Sequence, residues 1–384
     1  SAAVGALPLV NRLLERTRLE AFLRDALPRE DGRTKLSPTK TLLVLLRNLL
    51  LSREPIYGLG EWAARHAPDL LGLTENEVGL LNDDRVGRAL DKLFAADVPS
   101  LVLGVAAQAV KEFGLRLDEL HNDSTSVSFY GAYSDAAESL RVFGRPTLAV
   151  TFGHSKDHRP DLKQLLFILT VTADGGVPLH FRAADGNVTD DTTHRDTWDL
   201  LCELTGRRDF LYVADSKLAT RENMAYLHQR QGRFVTVLPK TRGEDAAFRK
   251  SVADGQVAWR PLWEKTDEDG EVVDCYSISD PPATTAEGYR LLWHHSRRKA
   301  EHDAVARSAR IERALKELAA FREKLRSPRT RYRQESQVRK AVAEILRSRR
   351  AEAWIVVEVE RKEVETFRQA RRGRPGKDTP YVRK

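Results

Sequence analysis

His121-Asn122-Asp123-Ser124-Thr125-Ser126-Val127 and Tyr212-Val213-Ala214-Asp215-Ser216-Lys217 decide the reading of this chain. In the first, Thr125, Val127 and Phe129 alternate with Ser124, Ser126 and Ser128, the period-two pattern of a half-buried strand. In the second, residues 210–214 read as a buried strand that ends in Asp215. Each stretch therefore sets one aspartate on, or at the end of, a strand. Brought together, Asp123 and Asp215 offer hard oxygen ligands to Mg²⁺ or Mn²⁺, and the ion relieves the repulsion between the two carboxylates. Such sites cleave and transfer phosphodiesters.

Working outward, residues 165–172 are nearly all apolar or β-branched, and Ala173-Asp174-Gly175-Gly176 turns them into Val177-Pro178-Leu179-His180-Phe181. Residues 192–204 and 221–231 read as helices, and residues 233–239 as a fifth strand. The order strand, strand hairpin, helix, strand, helix, strand predicts a mixed α/β fold, one sheet flanked by helices, with the aspartates on its first and fourth strands.

On either side of this core, over 116–245, the texture differs. Residues 1–115 read as an N-terminal helical domain, a candidate for DNA binding, in which Ser37-Pro38 starts a helix and Leu42, Leu43, Leu45, Leu46, Leu49 and Leu50 cover most of its circumference and predict a buried central helix. Arg85, Arg88 and Lys92, next to Asp83 and Asp84, read as a solvated helix face in preference to a DNA-reading one. Strand-like pieces at 257–259, 272–277 and 289–293 predict a β insertion over 246–296. A charged helical segment follows over 297–350, with Ile311, Leu315, Leu318 and Leu325 at near-heptad spacing on a helix over 297–325. Residues 351–384 read as a last strand, at 354–359, and a basic tail.

The 384 residues suffice for two or three domains, and 41% hydrophobic content excludes a disordered chain. Lys and Arg number 63 against 56 Asp and Glu, a net charge of +7, so the surface attracts polyanions modestly. Cys202 and Cys275 are too few for a disulfide framework or a cysteine zinc site, which makes a reducing, cytoplasmic setting the expectation. No apolar run approaches the roughly 20 residues of a membrane span. Because the chain begins at Ser1 and stops inside a basic stretch, either end is expected to be a cut.

Three blocks together carry a family resemblance: His121 to Ser126, then Phe152-Gly153-His154-Ser155-Lys156-Asp157-His158-Arg159-Pro160-Asp161-Leu162-Lys163-Gln164, then Tyr212 to Leu218. They resemble the DDE transposases of the insertion-sequence-4 superfamily, nearest its insertion-sequence-1634-like branch. The resemblance implies a ribonuclease-H-like catalytic core with an inserted β subdomain, in which two aspartates and a glutamate hold two Mg²⁺ or Mn²⁺ ions. Asp123 and Asp215 would be the aspartates. It further implies double-stranded DNA, as transposon ends and target, for a partner, and a homodimer on that DNA. In the family the glutamate sits in a helix spaced Y-x2-R-x3-E-x6-K. Around Glu365, Arg361 fits, but Glu358 and Arg372 stand where Tyr and Lys belong, and Gly373 and Pro375 follow. Two alternatives stay open, Glu365 as third ligand or a glutamate beyond Lys384, the second favoured.

His154, Lys156, His158, Arg159 and Lys163 are candidate phosphate contacts, as is Lys217; the alternative is that Asp157 and Asp161 pair with these bases. His194 and Asp196, at i,i+2, do not share a helix face and read as structural. Trp259, Trp263 and Trp293 read as the core of the insertion before they read as a base-stacking surface. The leading expectation is a transposase that cuts and joins DNA. A catalytically inactive DNA-binding remnant and a metal-dependent nuclease are the alternatives.

Overall fold

The computed structural model describes residues 3–28, 34–134, 141–142, 144–189, 192–280, 282–327, 330–361 and 367–383. The chain falls into two units, Ser1–Ala247 and Phe248–Lys384.

The first unit opens with helices α1 (Leu7–Arg16), α2 (Leu19–Ala26), α3 (Pro38–Leu51), α4 (Leu59–Ala64), α5 (Glu75–Val78), α6 (Asp83–Ala95) and α7 (Val98–Phe113). Ser37 caps α3 by accepting from the Lys40 amide, with Pro38 in the first turn, as its sequence predicts. Val44 and Leu45 pack with Leu7, Trp62 and Val86 in one core. The expectation of a buried central helix fails at the end of α3, where Leu49 and Leu50 are 51% and 59% exposed. The cause is a sharp exit. Buried Asn48 donates to the Glu54 carbonyl at 2.8 Å and accepts its amide at 3.1 Å, so the chain turns away and leaves the last turn in solvent. On α6, Val86 and Ala89 are buried while Arg88 faces outward.

A five-stranded sheet follows: β1 (Glu119–Phe129), β2 (Lys163–Thr172), β3 (Pro178–Asp185), β4 (Leu211–Ala214) and β5 (Arg233–Val235). Its order is β3-β2-β1-β4-β5, with β1, β2 and β3 antiparallel in turn and β1, β4 and β5 parallel. The first and fourth strands thus lie side by side at the centre, the ribonuclease-H-like arrangement expected. Helix α8 (His194–Thr205) crosses from β3 to β4, and α9 (Arg221–Gln229) from β4 to β5. Both are crossovers between parallel strands running in one direction across the sheet, so a shared right hand puts both on one face. There Trp198, Leu201 and Leu227 bury Leu120, Leu179 and Tyr212.

One feature of β1 reverses the order that hydropathy ranks. Its buried series is Leu120, Asn122, Ser124 and Ser126, while Asp123, Thr125 and Val127 are exposed. Leu120 anchors the helix-covered face, and strict alternation carries the serines to that side. The opposite face bears Asp123 together with half-buried Leu165, Phe167, Leu169 and Val171 of β2.

In the second unit, β6 (Trp259–Thr266), β7 (Val272–Ser279) and β8 (His294–Ser296) form an antiparallel sheet in the order β8-β7-β6. Trp293 stacks on Phe248 at 4.1 Å, but Trp259 and Trp263 are 38% and 57% exposed, more open than a subdomain core would leave them. After α10 (Gly243–Ala253) in chain order, helices α11 (Arg297–Arg326) and α12 (Glu335–Arg349) pack through Ala314, Phe321, Val342 and Leu346. The last strand expected at 354–359 is absent. With no neighbouring strand to supply a ladder, Ile355 and Val357 lie as an unpaired segment against the helix core. Residues 233–239 and 289–293 likewise shrink to Arg233–Val235 and Arg290–Leu291.

Asp274 ties this sheet to α11. Its carboxylate accepts from the Cys275 and Arg298 amides at 2.8 and 3.0 Å and from the Ser296 hydroxyl at 2.7 Å. Burial pushes its pKa up, but these hydrogen bonds and one from Tyr276 outweigh it and draw the value from 3.8 down to about 2. A depressed folded-state pKa contributes stability above the unfolded value and loses it as pH falls toward the folded one. The thermal midpoint of Asp274→Asn is therefore expected below wild type at neutral pH, with the gap constant down to about pH 4 and closing toward about pH 2. Melting curves across that range check it, and a gap that widens on acidification refutes the assignment.

Candidate functional site

Parallel pairing of β1 with β4 sets Glu119 opposite Leu211, Leu120 opposite Tyr212, His121 opposite Val213 and Asn122 opposite Ala214. There β4 stops, whereas β1 runs on to Phe129 paired only with β2. Asp123 is thus the first β1 residue beyond the ladder, and Asp215 leaves β4 next in register on a neighbour about 4.8 Å away. Both are exposed, Asp123 with 79% of its side chain in solvent. The ends of parallel strands where the chain paths part form the crevice in which open sheets take their ligands.

Each carboxylate is oriented from behind. Asp123 Oδ1 accepts the Ser124 amide at 2.8 Å, and the ammonium of Lys156 lies 3.6 Å from the same oxygen. Lys156 Nζ donates to the Ser124 carbonyl and, at 2.7 Å, to its hydroxyl. Asp215 Oδ1 accepts the Lys217 amide at 2.9 Å, an Asx turn that points the carboxylate along its own backbone. The Asp215 carbonyl accepts the Thr236 hydroxyl at 2.5 Å, which fixes it to the chain after β5. Beneath them Asn122 Oδ1, buried, accepts the Thr170 hydroxyl at 2.9 Å.

The loop between residues 151 and 164 carries the specific sequence block. Its ends are paired, the Gln164 amide donating to the Thr151 carbonyl at 2.9 Å. Gln164, 2% exposed, gives its side-chain amide to the Gly186 carbonyl at 2.8 Å. Gly153 has no alternative there: a Cβ would stand 1.8 Å from the Gly186 oxygen, and one at Gly186 would stand 2.0 Å from the Gln164 oxygen. Farther along, the Lys156 amide donates to Ser126 Oγ at 3.1 Å, and the Arg159 amide to Ser155 Oγ at 3.2 Å. The serines of β1 were the signal missed in the sequence, small hydroxyls that moor this loop to the sheet.

The candidate phosphate contacts divide by their partners. Arg159 forms a two-pronged pair with Asp161 at 2.9 and 2.7 Å, and those bonds, with the Tyr130 hydroxyl, hold its guanidinium above the usual arginine range. Lys163 donates to the carbonyls of Ala132 and Tyr133 at 2.6 and 2.9 Å, closing the chain after β1. Lys156 lies against Asp123, as described. His154, His158 and Lys217 are exposed. His194 is buried with Nδ1 at 3.0 Å from the Tyr212 hydroxyl, and Asp196 pairs with Arg182 at 3.3 Å.

Glu365 lies outside the described residues, and among those described no cluster of three His, Cys, Asp or Glu side chains could hold a metal. The donor set of Asp123 and Asp215 is two carboxylates, which suits a hard cation such as Mg²⁺ or Mn²⁺ and leaves most of its coordination to water and phosphate oxygens. A cavity of about 880 Å³ between α7, β3 and α8 is lined largely by Phe94, Leu103, Leu148, Phe181 and Leu204 and contains neither aspartate. The carboxylates sit on open surface, an arrangement that suits a long polymer better than an enclosed small molecule.

A family profile described as a domain of unknown function (DUF4277) matches residues 1–107. No curated protein matches the chain. Among solved structures, a piggyBac transposase synaptic complex with hairpin DNA aligns at TM-score 0.33 and 9% identity over 74% of this chain and 60% of that one. A Mos1 transposase paired-end complex with left transposon end aligns at TM-score 0.22 and 7% identity, and a Mos1 strand transfer complex at 0.21 and 9%, each over 58% of this chain and 68% of the other. This chain thus spans 60% of the piggyBac transposase chain. These alignments are too loose to add to what the strand order of the sheet shows.

Because Gly153 and Gly186 sit where no side chain fits, Gly186→Ala is expected to cost about 1–3 kcal/mol through overpacking and to loosen the loop. Urea unfolding followed by tryptophan fluorescence measures it. An unchanged midpoint would show that the loop is not clamped in this way.

Proposed function

We propose that this protein acts on DNA as a transposase-type enzyme, cleaving phosphodiesters at element ends and joining them to target DNA. The observation that carries the reading is the β1–β4 register, which ends at Asn122 and Ala214 and so leaves Asp123 and Asp215 adjacent on open surface. The sequence blocks around them and the Gly153–Gln164 loop resemble the DDE family over most of the chain. Asp123 and Asp215 would hold divalent cations, with Glu365 or a glutamate elsewhere completing the set. When bound, such ions activate water and stabilise both the attacking and the leaving oxygen of an in-line displacement.

The chain's own residues supply orientation. The Ser124 amide fixes one oxygen of Asp123 and the Lys217 amide one oxygen of Asp215, so each carboxylate meets its ligand without first losing rotational freedom. His154, His158 and Lys217 present exposed donors for DNA phosphates beside the crevice. Two ends must be cut and joined together, which calls for two copies of the chain on the DNA, in a nucleoid-associated, cytoplasmic setting. A second reading has an observation of its own. Glu358 and Arg372 stand where the family has Tyr and Lys, which favours a protein that binds DNA ends without cutting them.

Mg²⁺-dependent nicking of duplex carrying the element's ends separates the readings. Asp123→Ala and Asp215→Ala are each expected to lower the rate at least about a hundredfold with duplex binding retained. Cleavage that survives both changes would place the chemistry elsewhere, and wild-type binding without any cleavage would favour the second reading. Glu365→Gln decides the third ligand, since unchanged cleavage excludes Glu365.

A further inference from the structure

We propose that Lys156 is a resident counter-ion that keeps the Asp123–Asp215 pair weakly receptive to divalent cations until a DNA phosphate draws its ammonium away, so that metal loading and DNA binding are coupled. The inference rests on the reading of these aspartates as metal ligands.

Three observations carry it. The first is placement, because the Lys156 amide is fixed to Ser126 Oγ at 3.1 Å on a loop whose ends are paired, so the side chain starts from a fixed point beside β1. The second is the nature of the contact. Lys156 Nζ is hydrogen-bonded to the carbonyl and hydroxyl of Ser124, whereas its 3.6 Å approach to Asp123 Oδ1 exceeds hydrogen-bond length and is Coulombic. A positive charge there opposes a divalent cation at the same carboxylate. The third is contrast with its neighbours. Arg159 pairs with Asp161 and Lys163 with two backbone carbonyls, whereas the Lys156 ammonium stands 3.6 Å from the candidate ligand Asp123.

The residue type fits the task. An ammonium on a flexible stem can swing from Ser124 to a phosphate oxygen, whereas a guanidinium in a two-pronged pair cannot move as cheaply. A phosphodiester entering the crevice carries its own negative charge, so it compensates Lys156 and adds oxygen ligands for the cation. By linkage, whatever factor DNA adds to metal affinity, metal adds to DNA affinity. Lys156 acts through Asp123 and is a positioning residue.

Mn²⁺ binding to the full-length chain, read by the loss of the free-ion electron paramagnetic resonance signal, tests the idea without any turnover. Without DNA, Lys156→Gln is expected to bind Mn²⁺ on the order of threefold to tenfold more tightly than wild type, the size expected of one charge a few ångströms from an exposed site. Lys156→Arg keeps the charge and should stay close to wild type. Adding a short duplex of arbitrary sequence should tighten Mn²⁺ binding to wild type by about threefold or more, and by less in Lys156→Gln. Equal or weaker binding by Lys156→Gln overturns the proposal. So does a wild-type affinity indifferent to duplex, a measurement that needs no variant to fold. Asp123→Asn separates the two layers of argument: if it binds Mn²⁺ as wild type does, the metal-ligand reading itself is wrong.

Discussion

The ladder between β1 and β4 is the constraint on which the rest of the first unit depends. It is short and parallel, and it ends at Asn122 and Ala214. A parallel partner needs a crossover helix, so α8 and α9 are obligatory, and a shared hand stacks both on one face. Buried Trp198, Leu201 and Phe210 set β4 against β1 from that side. Since alternation has period two, a slip of one residue in this register would turn Asp123 inward among apolar side chains and expose Asn122. Hydrophobic packing on the far face of the sheet thereby decides where a carboxylate stands on the near one.

The serine series on the covered face shows a trade of stability for position. A leucine at Ser124 or Ser126 would contribute about 1.5–3 kcal/mol by burial, against about 1 kcal/mol for a hydrogen bond. The chain takes the smaller gain because a large side chain would hold the loop off the sheet. Short hydroxyls let the Lys156 backbone come within 3.1 Å of β1 and let its ammonium reach Ser124 and the neighbourhood of Asp123. Gly153 and Gly186 serve the same end by letting two backbones meet where a Cβ would overlap. The Gly153–Gln164 block is distinctive in sequence largely because it is a clamp.

What is legible in the sequence is what neighbouring residues decide among themselves. The strands around Asp123 and Asp215, the Gly175-Gly176 turn and the flanking helices follow from local periodicity and turn chemistry, which are properties of neighbouring residues. Which face of β1 is covered does not follow, because its serines owe their burial to a loop some thirty residues away. Leu49 and Leu50 look like core until Asn48 is seen to end the bundle beneath them. Ile355 and Val357 carry a strand's alternation, yet a strand needs a neighbour, and what they meet is a pair of helices. Periodicity reports that a residue will be covered; it does not report by what.

The open face then sets how a substrate can approach. Along β2, Leu165, Phe167, Leu169 and Val171 give that face an apolar strip which offers nothing to a polyanion. The donors gather instead where β1 outruns β4: the Lys156 ammonium beside Asp123, and Lys217 one turn beyond Asp215. On the proposed function a phosphate backbone would be drawn to the strand ends and not across the sheet, so that attraction and chemistry would share one location. In such a layout the cations do not merely add affinity. On the proposed function they would fix which phosphodiester lies over the two carboxylates, and a carboxylate pair too exposed to hold a cation strongly on its own would become a competent site once the polymer is in place.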